Sequence, residues 1–169
     1  MDALTPHEVE QLVSLRLALE NALLQCNRAT KYRRGTALVA LDTVVERASA
    51  IVAVTSGVPV PKSGNLDDLI SKLKESLGER WVPGVLPDIR QLRRARNAAQ
   101  HEGLEPDREQ IPSWASAVAV YVTTLIDTQC ARHHPVLSVE DLEQTLRDVD
   151  PVVTEQLVIQ TETRIDVSF

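Results

Sequence analysis

Hydrophobic residues recur every three or four positions along most of the chain, which places them on one face of an α-helix. Stretches rich in Pro and Gly interrupt this pattern, so the sequence predicts five helices joined by loops. Four of the predicted helices carry clear apolar stripes, whereas the fourth, about 88–101, is rich in charge. In the first helix the stripe is Leu12, Leu15, Leu19, Leu23 and Cys26, and in the second, about 35–54, it is Leu38, Leu41, Val44, Val45, Ala48, Ile51 and Val52. In the third helix it is Leu66, Leu69, Ile70, Leu73 and Leu77, and in the fifth it is Trp114, Val118, Tyr121, Val122, Leu125 and Ile126.

Residues with strong positional preferences mark the ends of these predicted helices. Thr5, which stands before a proline, is typical of a helix start, and Asn65 is suited to cap the third helix. A loop rich in Pro and Gly over 56–64 ends the second helix. We expect Gly78 to stop the third helix and Gly103 to close the fourth.

The last part of the chain follows a different pattern. Ser138 is placed to cap a short acidic helix, and residues 157–169 then alternate with a period of two, which predicts a one-sided β-strand. No second strand is evident, so we expect this strand to pair with its copy in a dimer or with another protein. A disordered acidic tail is the alternative. The predicted fold is therefore an all-α bundle over 1–135, followed by an acidic extension over 136–169.

The composition adds limits to this picture. Aromatic residues are only 3% of the chain, so Ala, Leu and Val must fill the core, which favours closely packed helices. No apolar run is long enough to span a membrane, and the N-terminus lacks the features of a signal peptide. Cys26 and Cys130 lie on apolar helical faces without metal-ligand spacing, so we expect free thiols in a cytoplasmic protein.

The net charge of −6 argues against a generic nucleic-acid-binding protein, but the charge is unevenly distributed. Residues 1–104 contain 14 Lys and Arg against 12 Asp and Glu, whereas residues 105–169 contain 4 against 12. Because salt screens each charge beyond about 10 Å, a local basic face on an acidic protein can still bind phosphate.

The densest candidate chemistry lies in the predicted fourth helix. Arginine presents a fixed positive fork that suits phosphate oxygens, and histidine can transfer a proton near neutral pH. Such groups together could cleave RNA without a metal, although a solvated charged helix face is the simpler alternative. The candidates are Arg90, Arg93, Arg94, Arg96, Asn97 and His101.

The spacing of these residues sets a geometric condition. Successive helical residues turn by about 100°, so Asn97 and His101 share a face, with Arg93 and Arg94 beside it. Arg96 lies roughly 140° around the helix from His101. Either the helix unwinds before His101, or a second copy of the protein supplies the missing group across a two-fold axis.

The segment 96–101, R-N-A-A-Q-H, resembles the R-x4-6-H motif of the HEPN superfamily (higher eukaryotes and prokaryotes nucleotide-binding domains). The segment 41–46, L-D-T-V-V-E, is similar to the second helix of such domains, and 65–73, N-L-D-D-L-I-S-K-L, is similar to their third. The resemblance covers about 1–131 and implies an α-helical bundle that dimerises to bring two motifs together.

The resemblance also implies a function. Many such proteins are metal-independent endoribonucleases of prokaryotic toxin–antitoxin or antiviral defence systems, in which the ribose 2′-OH attacks the adjacent phosphate. It implies that Arg96 holds the scissile phosphate, that His101 acts in proton transfer, and that Asn97 orients either the phosphate or the histidine. No cofactor is expected. By their charge, Arg90, Arg93 and Arg94 are candidates to contact the RNA backbone, while Asp42 and Glu46 are candidates to line the pocket.

Two further interpretations remain open. The chain could be a non-catalytic HEPN module that dimerises or binds a protein or nucleic acid within a defence complex, which the acidic extension and unpaired strand favour. It could also be a helical adaptor outside that superfamily. His133 and His134 beside Cys130 could suggest a metal tract, but Pro135 breaks the helix there, so we expect no metal site.

Overall fold

The computed structural model describes residues 5–62, 64–81 and 84–133, and these residues form an all-helical fold. The helices are α1 (Pro6–Asn27), α2 (Arg34–Thr55), α3 (Leu66–Leu77), α4 (Leu86–His101) and α5 (Ile111–His133). Single 3-10 turns at Lys31–Arg33 and Gly78–Arg80 join α1 to α2 and follow α3. The predicted fold class, all-α with five helices in this order, is confirmed for the described residues.

The residues predicted to begin α1 and to begin and end α3 are confirmed. The Thr5 hydroxyl accepts a hydrogen bond from the Glu8 amide at 3.2 Å, and the Glu8 carboxylate accepts one from the Thr5 amide at 2.7 Å. This reciprocal pair is a capping box. The Asn65 side chain accepts from the Asp67 amide at the start of α3, and Gly78 ends that helix with a φ of 55°.

Helix α2 occupies the centre of the fold, where it contacts α1, α3, α4 and α5. It is apolar over much of its circumference, which is typical of a helix surrounded by others. Its one buried hydroxyl, on Ser49, donates to the Val45 carbonyl and bonds the Tyr121 hydroxyl of α5, both at 2.8 Å. The Tyr121 ring also meets Trp81 edge-on, with 6.1 Å between the ring centroids.

Helix α4 begins at Leu86, two residues before the predicted start. Pro87 is tolerated there because the first-turn amides of a helix have no partner within the helix. The helix then continues without interruption to His101. Gly103, at a φ of 67°, lets the chain turn back, so that the Leu104 amide donates to the Ala98 carbonyl.

The short acidic helix expected after Ser138, the strand expected over 157–169 and the residues 134–135 lie outside the described residues. The side chain of Cys130 is likewise not described, whereas Cys26 is a free, partly buried thiol. Burial raises the pKa of the Cys26 thiol to about 11. Among the described residues, none of the helices combines the length and apolar content required to cross a bilayer.

Candidate functional site

Helix α4 lies against α2 through one apolar face and presents its charged residues beside that face. Ile89 and Leu92 are buried in the core. Farther along, the two backbones approach closely, because a Cβ added at Gly35 of α2 would lie 3.6 Å from the Cβ of Ala99. The charged side chains of α4 that flank this contact therefore face side chains of α2.

Asp42 of α2 is the centre of this charged contact. Its side chain is 1% exposed, and two arginines of α4 approach it from one side. The Nε of Arg96 lies 3.3 Å from Oδ2 of Asp42, and an Nη of Arg93 lies 3.7 Å from Oδ1. The other Nη of Arg93 is 3.8 Å from the Glu46 carboxylate, so the two helices share a network of two acids and two arginines.

These ion pairs are close but poorly aligned. Both carboxylate oxygens of Asp42, the Nε of Arg96 and one Nη of Arg93 are buried without a hydrogen-bond partner among the described residues. A buried polar group without a well-aligned partner costs stability. The network therefore loses part of its attraction to the removal of these charges from water, so its ion pairs are weak evidence for stability of the α2–α4 contact.

Burial and charge act in opposite directions on Asp42. Burial raises the pKa of its carboxyl, the nearby Glu46 carboxylate raises it further, and the two arginines lower it; the net direction is upward. A carboxyl with a raised pKa, placed between two cations, is a feature that recurs at functional sites.

A groove of about 510 Å³ runs along the outer side of α4. Arg90, Arg93, Arg94 and Asn97 line it, together with Asp67 from the first turn of α3. All three arginines that we proposed from the sequence as RNA contacts thus share one surface. Asp42 and Glu46 already engage Arg93, so the positive charge that the groove presents comes mainly from Arg90 and Arg94, against the Asp67 carboxylate. This balance is suited to bind an anion such as a phosphate backbone.

Arg96 and Asn97 connect this groove to the buried acid. An Nη of Arg96 donates a hydrogen bond of 2.8 Å to the Oδ1 of Asn97. The Arg96 side chain remains 26% exposed, so its guanidinium touches Asp42 on one side and solvent on the other. Asn97, which lines the groove, thus receives a hydrogen bond from the arginine that Asp42 holds.

His101 is separate from this arrangement. It is exposed at the C-terminal end of α4 and does not line the groove. Because α4 is unbroken from Leu86 to His101, the alternative in which the helix unwinds before His101 is excluded. Arg96 and His101 therefore point in directions roughly 140° apart, and one chain does not bring them to the same phosphate.

Sequence reasoning missed one residue of the groove, Asp67. Its position in the first turn of α3 is accounted for by the helix dipole, so nothing in the sequence marked it as part of a site. As for metals, the described residues contain no cluster of three or more His, Cys, Asp or Glu side chains that could hold an ion.

Comparisons with known proteins give no further guidance, because no family model, curated protein or solved structure matches the chain. Over the residues that the structure describes, fold and site define an all-helical unit with an arginine-lined groove along α4 and the buried carboxylate of Asp42 beside that groove.

Proposed function

We propose that this chain is a metal-independent endoribonuclease of the HEPN type, with a composite site formed by two copies of the protein. The observation that carries the proposal is the basic groove of α4, which adjoins the Arg96–Asn97 pair held by Asp42. A prokaryotic toxin–antitoxin or antiviral defence system is the expected setting, by resemblance alone.

The groove residues would bind the RNA. Arg90, Arg93 and Arg94 neutralise phosphates on either side of the scissile bond, which positions the strand without reading its sequence. Arg96 stabilises the charge that develops on the scissile phosphate as the 2′-oxygen attacks it. Asp42 is a positioning residue, since its ion pair limits the directions in which the Arg96 guanidinium can point.

The proton transfer requires a second copy. The 2′-O–P bond forms as the P–O5′ bond breaks, which leaves a cyclic phosphate and a 5′-hydroxyl. The 2′-hydroxyl loses its proton and the departing O5′ gains one. His101 of the partner copy removes the first proton or supplies the second, and water exchanges the other. A two-fold axis near α4 would bring that histidine to the Arg96 of this copy, as the divergence of the two side chains requires.

The test is cleavage of a mixed RNA pool by the purified protein in EDTA. We expect the wild type to give cyclic-phosphate ends, and Arg96→Ala and His101→Ala to lose at least about 100-fold in rate. Arg80→Ala is the matched control, since Arg80 is an exposed arginine outside the groove and should leave the rate unchanged. Equal activity in all variants would assign the cleavage to another site or to a contaminant.

The second candidate function is a non-catalytic module that dimerises or docks a partner. Arg96 is engaged with Asp42 and Asn97, and His101 is not among the residues that line the groove; both observations favour this function. Under this proposal the 157–169 segment pairs with a partner protein as a β-strand. Truncation before Leu157 would then abolish partner binding, His101→Ala would leave it unchanged, and the folded dimer would cleave no RNA.

A further inference from the structure

A second basic surface lies at the turn between α1 and α2. Five residues of this turn are cationic or aromatic within seven positions, in a chain whose net charge is −6. They are Arg28, Lys31, Tyr32, Arg33 and Arg34. Tyr32 is 88% exposed, whereas tyrosine is usually at least partly covered. Aromatic residues make up only 3% of the chain, so an exposed ring is uncommon here.

A cleft of about 370 Å³ opens beside this turn. Leu24 provides apolar lining, Gln25 and Thr36 provide hydrogen-bonding groups, and Arg28 and Arg33 provide positive charge. The volume falls within the range of about 300–1,000 Å³ that is usual for small-ligand sites. A cleft that combines an apolar wall, polar groups and two guanidinium groups is suited to a ligand that is itself part apolar ring and part anion.

The turn adjoins the end of α4 that carries His101. Lys31 lies 3.7 Å from the Glu105 carboxylate in the segment after α4, and Gly35 approaches Ala99 within α4. A strand that passes over the C-terminal end of α4 would therefore meet the turn next. Of the two surfaces, the α4 groove offers arginines without an aromatic ring, whereas the turn offers both.

We propose that this turn and cleft bind one unpaired nucleotide of a single-stranded RNA, with its base stacked on the Tyr32 ring and its phosphate held by Arg28 and Arg33. An exposed aromatic ring between cations is a platform on which any base can stack. This surface has a single exposed ring surrounded by positive charge, which matches a nucleotide better than it matches a protein partner. The proposal rests on the function proposed above, since it extends the RNA path from the α4 groove.

The test measures RNA binding separately from cleavage. Full-length protein carrying His101→Ala would be titrated into a fluorescently labelled, unstructured RNA and into a duplex RNA, and anisotropy recorded at several salt concentrations. On this background we expect Tyr32→Ala to weaken single-strand binding by about 5- to 150-fold, the loss of one stacked base. Tyr32→Phe should bind the single-stranded RNA as tightly as the protein with Tyr32 does, because phenylalanine keeps the aromatic ring.

The role proposed for the arginines is tested by the salt dependence of RNA binding. Arg33→Ala should weaken binding and reduce the slope of log affinity against log salt by about one, as the loss of one phosphate contact requires. The control Arg80→Ala should leave both quantities unchanged. Duplex binding should be insensitive to Tyr32→Ala, since paired bases are not available to stack on a side chain.

Four outcomes would overturn the proposal: unchanged single-strand binding in Tyr32→Ala, equal losses in Tyr32→Phe and Tyr32→Ala, equal losses for single strand and duplex, or a mononucleotide that binds as tightly as the strand. Loss of dimerisation in Tyr32→Ala with unchanged RNA binding would also overturn it and would identify the turn as a protein interface. Tyr32-dependent binding without any cleavage would support this site and contradict only the nuclease. RNA cleavage by Tyr32→Ala at the wild-type rate, with RNA binding also unchanged, would contradict only this site.

Discussion

Asp42 shows how much a single position depends on its surroundings. In the sequence it is one acid on a helix, and the resemblance of 41–46 to a second HEPN helix makes it only a candidate to line a pocket. In the fold it is buried against two arginines of another helix. That burial raises the pKa of its carboxyl in spite of both arginines, because the loss of hydration outweighs their attraction.

This balance has a consequence for stability. Because the pKa of Asp42 is raised on folding, the folded protein binds that proton more tightly than the unfolded chain does. The resulting stability is fully present below the ordinary pKa of 3.8 and is lost as the pH rises through the raised value. Asp42→Asn keeps the shape of the side chain but cannot titrate.

We therefore expect the free energy of unfolding of the wild type, relative to Asp42→Asn, to fall as the pH rises above the ordinary value of 3.8. Urea denaturation of both proteins at each pH provides the measurement, and the subtraction cancels the titration of groups that do not interact with Asp42. A difference that grows with pH would show that the arginines, and not burial, dominate the pKa of Asp42.

The buried hydroxyl pair of Ser49 and Tyr121 gives a second prediction at this scale. Ser49 donates its only hydroxyl proton to the Val45 carbonyl, so the Tyr121 hydroxyl is the donor to Ser49. Ser49→Ala strands the Tyr121 hydroxyl in the core and should cost about 1–3 kcal/mol. Tyr121→Phe leaves Ser49 bonded to Val45 and should cost less, about 0.5–1.5 kcal/mol. Urea denaturation curves would give both costs, and the reverse order would contradict the assignment of the donor.

Burial also raises the pKa of Tyr121 to about 12. This contribution to stability is present below the ordinary value of 10.0 and is lost as the pH rises through about 12. The chain has two tyrosines, so ultraviolet titration of Tyr32→Phe reports Tyr121 alone. We expect tyrosinate to form there near pH 12 or at alkaline unfolding, whichever comes first. Ionisation near 10 in the folded protein would show that Tyr121 is accessible to water.

At the scale of single helices, local sequence was a good guide. The residues expected to begin and end helices do so, because a cap depends on the few residues beside it. The apolar stripes of α2, α3 and α5 are buried as expected, while α1 buries its stripe only partly beyond Leu15. Two 3-10 turns were not predicted, since a three-residue segment carries no periodicity.

The capping box of α1 provides a direct test at this scale. Thr5→Ala removes the acceptor for the Glu8 amide and should cost about 0.5–2 kcal/mol. Thr43→Ala is the matched control: it makes the same chemical change at an exposed position inside α2, where alanine is the better helix former. We expect that control to be neutral or slightly stabilising in urea denaturation. Equal losses in the two variants would show that the cap is not what Thr5 contributes.

At the scale of the whole molecule, the central question is how Arg96 and His101 could act together. A continuous α4 turns them apart, so the proposed nuclease requires two copies. Mixing Arg96→Ala with His101→Ala tests this directly, because a mixed dimer would contain one site with both native residues. After subunit exchange we expect about a quarter of wild-type cleavage, since half the dimers are mixed and each has one of two sites intact.

The control is each variant alone, which should remain inactive after the same treatment. A mixture that stays inactive, although mass spectrometry shows mixed dimers, would contradict a site that takes one Arg96 and one His101 from different copies.

The candidate site divides along the same lines as the fold. Arg93, Arg94 and Asn97 line one groove, in keeping with the helical spacing that places Arg93 and Arg94 beside the face of Asn97, because a single helix fixes the relative directions of its own side chains. Arg90 also lines this groove, whereas His101, which the spacing places on the face of Asn97, does not. The contribution of Asp67 to that groove was not foreseeable, since it depends on how α3 and α4 are each placed against α2.

Local order in this chain follows from short-range chemistry: which segments are helical, where they begin and end, and which residues on each face are apolar. Such properties depend on residues within a few positions of each other, so one sequence is enough to infer them. Contacts between distant segments decide the rest. They bury Asp42 against two arginines, place α2 at the centre of the fold, and bring the turn between α1 and α2 close to the end of α4. Those contacts arise because the apolar faces of five helices must be buried together, and no segment carries that information alone.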